Sequence, residues 1–66
     1  MEITVNGEIL KVPENCTLSG LVEQLDLVGK KIAIELNMEI ISKSLHSETR
    51  LQNKDNIEVV QAIGGG

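Results

Sequence analysis

The sequence predicts an α+β domain in which one main helix packs on one face of a mixed sheet of four to five strands. Three observations lead there. Segments of alternating polar and apolar residues stand near both ends of the chain. A single apolar stripe at helical spacing lies between them. An Asn-Gly pair splits the first extended stretch, the strongest short-range hairpin signal because both residues tolerate positive φ. The 66 residues make one domain with a small core.

Glu2-Ile3-Thr4-Val5 alternates with the period of a half-buried strand. Asn6-Gly7 reads as the hairpin turn and Glu8 to Val12 as the return strand. Pro13, which has no backbone donor, ends it. Thr17 is the expected helix N-cap. Leu18, Leu21, Val22 and Leu25 follow at i, i+3, i+4 and i+7, with Glu23, Gln24 and Asp26 on the other side. Gly20 inside this helix suggests a close approach to the sheet, and Gly29 is the expected stop signal. Ile32 to Asn37 alternates again. Met38 to Ile41 reads as a short strand after a tight turn at Asn37-Met38. Ser42 to Ser47 has no clear period and is read as holding a helical turn. Thr49-Arg50-Leu51 is a brief extended piece, and residues 53 to 56 form a turn cluster. Ile57 to Ile63 is the last strand, with Ile57, Val59 and Ile63 on one face and Val60 and Ala62 on the other. A strand apolar on both faces belongs in the middle of its sheet. The first and last strands are therefore expected to pair centrally and in parallel, which is the β-grasp, or ubiquitin-like, arrangement. Residues 1–63 form the domain and residues 64–66 a flexible glycine tail.

Composition removes several functions. The chain has no Phe, Tyr or Trp and a net charge of -4, so it has neither rings to stack on bases nor the basic surface that phosphates require. No segment approaches the roughly 20 apolar residues of a membrane span, and no signal peptide is evident. Cys16 is the only cysteine, read as a buried thiol in a reducing compartment. The expectation is a soluble, cytoplasmic protein with no nucleic-acid or membrane partner. His46, the only histidine, stands among Ser and Glu and reads as a solvent-exposed loop residue. One Cys and one His make no zinc site. The chain is therefore expected to be no enzyme in its own right, with no catalytic, metal or cofactor residues.

The glycine tail is the remaining chemical feature. Three of the six glycines are Gly64, Gly65 and Gly66. A frayed end gives the same sequence. Three glycines also reach about 10 Å when extended and enter channels closed to other residues. In that reading Gly64 and Gly65 thread, and Gly66 presents its carboxylate for activation. Activation by ATP to an acyl-adenylate would let a sulfur nucleophile displace AMP and leave a thiocarboxylate. Val60, Ala62 and Ile63, just before the glycines, are the expected partner-docking residues.

The chain resembles the ThiS family of small ubiquitin-like sulfur carriers over its whole length. The resemblance rests on Met1 to Glu8, on Thr17-Leu18 with Leu25, on Ile32 to Ile41, on Asp55 to Val60, and on the terminal glycines. It implies adenylation of Gly66 by a ThiF-like enzyme that uses ATP and Mg, with no cofactor bound by this chain. It implies a Gly66 thiocarboxylate whose sulfur derives from cysteine through a desulfurase. Delivery would be to thiazole synthase (ThiG-like), for the thiazole ring of thiamine. The chain departs from the family pattern at Ser42, where proline is frequent, near Leu45 and His46, where an aromatic is frequent, and at Lys54, where glycine is common. A sulfur carrier for molybdopterin or amino-acid synthesis, or a ubiquitin-like protein modifier, would share the fold and the tail.

Overall fold

The structure, a computed structural model, describes residues 1–61. The expectations for Ala62, Ile63, Gly64, Gly65 and Gly66 lie outside the described residues. Five strands and one helix follow in the order β1 (Glu2–Val5), β2 (Glu8–Lys11), α1 (Leu18–Gln24), β3 (Ile32–Leu36), β4 (Glu39–Ile41) and β5 (Asn56–Gln61), with a 3₁₀ turn at Lys43–Leu45. The sheet order is β2-β1-β5-β3-β4. β1 and β5 are parallel neighbours, while β1–β2, β3–β4 and β3–β5 are antiparallel. The last strand is central, as its two apolar faces require.

Both hairpins turn through two residues of positive φ. Asn6 and Gly7 lie at 50° and 85°, and Asn37 and Met38 at 51° and 72°. This is the type I′ pattern, whose twist matches that of the flanking strands. Met38 occupies a conformation that a side chain disfavours, and it is 84% exposed.

Thr17 caps α1 as expected: its hydroxyl accepts from the Gly20 amide at 3.1 Å. The helix stops earlier than Gly29. It ends at Gln24, and Asp26, at φ 60°, provides the left-handed step that breaks it, leaving Gly29 in the following turn. Gly20 is also corrected. The atoms nearest to a Cβ built there are Cys16 Sγ at 3.4 Å and Thr17 Oγ1 at 3.6 Å, so the close neighbour is the capping loop and not the sheet.

Ile3, Leu18, Leu21, Ile34 and Ile57 are the largest fully buried side chains. Each contributes about 1.5–3 kcal/mol by leaving water. Val12, Cys16 and Leu51 close the core from the loops. The expected extended piece around Arg50 forms a single antiparallel bridge to Thr17. Leu18 N donates to Thr49 O and Leu51 N to Cys16 O, so this bridge ties the helix start to the long loop.

Candidate functional site at the end of the last strand

The pairing of β5 fixes the position of Gln61, the last described residue. Residues Ile57 to Gln61 of β5 pair with β3, from Leu36↔Ile57 to Ile32↔Gln61. The pairing of β5 with β1 is shorter, Thr4↔Asn56 and Val5↔Ile57 only, because β1 turns away at Gly7. Asn6 extends this short ladder with its side chain. Its backbone N–H donates to Ile57 O at 2.9 Å. Its Oδ1 accepts from Val59 N at 2.8 Å and its Nδ2 donates to Val59 O at 3.2 Å. The amide stands in for one further residue of a parallel partner strand. Asn37 does the same at the start of β5: its backbone N–H donates to Asn56 O at 2.7 Å, and its Oδ1 accepts from Asn56 N at 2.9 Å. Both hairpin-turn asparagines therefore fasten the strand that carries the tail. Sequence reading assigned them only to turns. Their second role depends on strand register, which local pattern does not contain.

Beyond Val59 the β1 side of β5 opens into a groove bordered by Leu10, Leu25, Leu27 and Gln61. On the sheet face away from α1, Val60 is 60% exposed. It lies opposite Ala33, and both are free of helix cover. Of the three expected docking residues, Val60 is thus placed on an open face. Lys30 and Lys31 precede the β3 residue that pairs with Gln61, and Lys43 borders the same depression as Val60.

His46 is not an exposed loop residue. It is 6% exposed, and its Nε2 lies 3.1 Å from Ile41 O. Its ring takes a buried position at the edge of the core, next to the 3₁₀ turn. Cys16 is a buried free thiol. Burial pushes its pKa up from the ordinary value, which lowers the thiolate fraction and with it the reactivity. Among the described residues no three His, Cys, Asp or Glu side chains gather as a metal site. No helix there is long and apolar enough to cross a membrane.

With the fold in hand, the chain can be set beside known proteins. The ThiS family model matches residues 1–66. The chain belongs to the ThiS family. It is 34% identical to the sulfur carrier protein ThiS of Bacillus subtilis over 65 residues, covering 97% of this chain and 98% of that protein. It is 39% identical over 66 residues to a thiazole synthase of Magnetococcus marinus, of whose length it spans 20%. The crystal structure of a thiamine biosynthesis protein (ThiS) from Geobacter metallireducens superposes with a TM-score of 0.86 at 28% identity, covering 100% of both chains. The β-grasp expectation is thereby met, with five strands.

Proposed function

We propose that this chain is a sulfur carrier protein of thiamine biosynthesis and that Gly66 is the residue that carries the sulfur. What supports the reading is the match of the ThiS family over residues 1–66, the three glycines included. The described domain supplies a rigid handle. β5 is held by β3 from Ile57 to Gln61 and by Asn6 at Val59, which fixes Gln61, the last described residue.

The chemistry follows from the acyl group. A carboxylate resists nucleophiles because resonance and negative charge both disfavour attack. An adenylating partner using ATP and Mg converts the Gly66 carboxylate to an acyl-adenylate and releases pyrophosphate. Hydrosulfide, the sulfur of cysteine delivered at the sulfide level, then attacks the carbonyl. AMP departs, and the acyl group ends as a thiocarboxylate. Glycine suits this position because it has no side chain to hinder the attack. Gly64 and Gly65 thread the partner's channel, while Val60, Ala62 and Ile63 dock beside its mouth. Thiazole synthase is the proposed acceptor. In the Magnetococcus marinus relative the matched stretch is itself part of a protein of that name. In this scheme the chain is a co-substrate and the catalytic groups belong to its partners.

The test is mass spectrometry after incubation with the adenylating enzyme, ATP and a sulfur source. Replacement of one oxygen by sulfur, localised to Gly66, is the expected result. An unchanged mass with a partner preparation active on another carrier refutes the proposal.

A further inference from the structure

We infer that Lys30, Lys31 and Lys43 form a basic collar beside the end of β5 and dock on acidic side chains around the cleft mouth of the adenylating enzyme. This inference rests on the carrier reading above.

The first observation is placement. Ile32 pairs with Gln61 and Ala33 with Val60, so the start of β3 lies beside the end of β5. Lys30 and Lys31 immediately precede Ile32. With Lys43 at the start of the 3₁₀ turn they border one depression, whose apolar floor includes Ala33 and Val60. Lys30 and Lys43 also border the adjoining depression around the corner, where Glu23 is the single acidic neighbour. All three lysines are exposed.

The second observation is charge asymmetry. The chain has 6 basic and 10 acidic residues. Three of the six basic residues stand at this one corner, and Lys11, Arg50 and Lys54 are elsewhere. A partner with an acidic rim is disfavoured by the net negative charge of the chain and attracted at the corner where β5 ends. That arrangement orients the encounter.

The third consideration is reach. The five residues from 62 to 66 extend at most about 17 Å. With the Gly66 carbonyl inside a cleft, the surface around Gln61 stands at the cleft mouth. The collar is therefore placed to touch the partner whenever the tail is in use. Lysine ammonium groups at a rim act mainly on association rate, so the collar governs capture of the carrier and leaves the chemical step alone.

The experiment compares wild type with Lys30→Glu/Lys31→Glu/Lys43→Glu and with the charge-matched control Lys11→Glu/Arg50→Glu/Lys54→Glu. Pyrophosphate exchange by the same organism's adenylating enzyme is the readout. The collar variant is expected to lose about tenfold or more in kcat/KM at low salt, through KM, with kcat within about twofold. The control is expected to lose much less. Wild-type KM should also rise with ionic strength, a measurement that needs no variant. A Lys→Gln triple variant replaces the Glu triple if the latter melts early. A collar variant within about twofold of wild type, or a control that loses as much, overturns the inference while leaving the carrier function standing. Loss of binding to RNA or to anionic vesicles, with exchange unchanged, also overturns it. A wild-type chain that supports no exchange overturns the carrier reading itself, and the collar with it.

Discussion

Asn6→Gly isolates the side-chain clip on β5. Glycine keeps the positive φ that the hairpin needs at this position, where Asn6 lies at 50°. It also keeps the backbone donor to Ile57 O. What disappears is the pair of bonds to Val59, at 2.8 and 3.2 Å. Both are exposed, so water partly replaces them, and each is worth about 0.5–1 kcal/mol. The extra unfolded-state freedom of glycine adds about 0.5 kcal/mol, offset in part by relief of the left-handed Asn. The sum is a destabilisation of about 1–2 kcal/mol, or a fall in Tm of about 5–15 °C for a domain of this size. Thermal unfolding by circular dichroism gives the global value. Hydrogen exchange at the Val59 amide gives the local one and should accelerate more than exchange at Ile34 relative to wild type. Asn6→Asp keeps the acceptor and loses the donor, and should fall between the two. A Tm within about 2 °C of wild type, with Val59 exchange unchanged, refutes the claim that the side chain extends the ladder.

Four further outcomes are expected. Gly20→Ala should stabilise by about 0.5–1 kcal/mol, because a Cβ meets only ordinary contacts at 3.4 and 3.6 Å while helix propensity improves; a urea midpoint checks it. Lys54→Gly should stabilise by up to about 1 kcal/mol, read as a raised urea midpoint, because Lys54 sits at φ 72°. His46→Ala should cost about 2–3 kcal/mol, since it removes a buried ring and its bond to Ile41 O; a lowered Tm with an unchanged far-ultraviolet spectrum is the signature. Val60→Asp should leave Tm within a few degrees, because the side chain is 60% exposed, while raising the KM of the adenylating partner for the carrier. An unchanged KM for that variant removes Val60 from the docking surface.

The strands were legible because their signals are local. Alternation marks Glu2–Val5 and Ile32–Leu36, and Asn6-Gly7 marks the turn. The two-faced apolar pattern read over Ile57 to Ile63 also located the last strand, observed as Asn56–Gln61, in the centre of the sheet. Features that depend on distant partners were not legible. His46 sits in a polar stretch, yet the carbonyl that accepts it belongs to Ile41 and the burial comes from the fold around it. Leu51 lies in a loop without clear period, and the bridge from Thr17 to Arg50 brings that loop onto the helix start. The helix end was misplaced because glycine is the more frequent left-handed terminator, whereas here Asp26 adopts that conformation. Of the candidate site, Val60 was legible from strand parity. The lysine corner was not, since it requires the antiparallel pairing of β3 with β5.

That pairing shows which force places the site. On the open face of the sheet, Glu35 stands directly opposite Glu58. Like charges in that position cost a few tenths of a kcal/mol to about 1 kcal/mol. Sliding β5 by two residues would relieve the repulsion, setting Glu58 against Ala33 or Asn37. It would also separate Ile34 from Val59 and Leu36 from Ile57 on the core face, and it would detach Asn37 from Asn56. Sliding by one would turn Ile57 and Val59 from the core to the open face. Burial of Ile34 and Ile57, worth about 1.5–3 kcal/mol each, outweighs the repulsion. The core therefore sets the register. The register in turn puts Gln61 beside Ile32, the residue that follows Lys30 and Lys31. A variant that removes the like-charge pair, Glu58→Thr, should stabilise the domain modestly and leave adenylation kinetics unchanged. A shift in those kinetics would mean that the carboxylate pair takes part in docking as well.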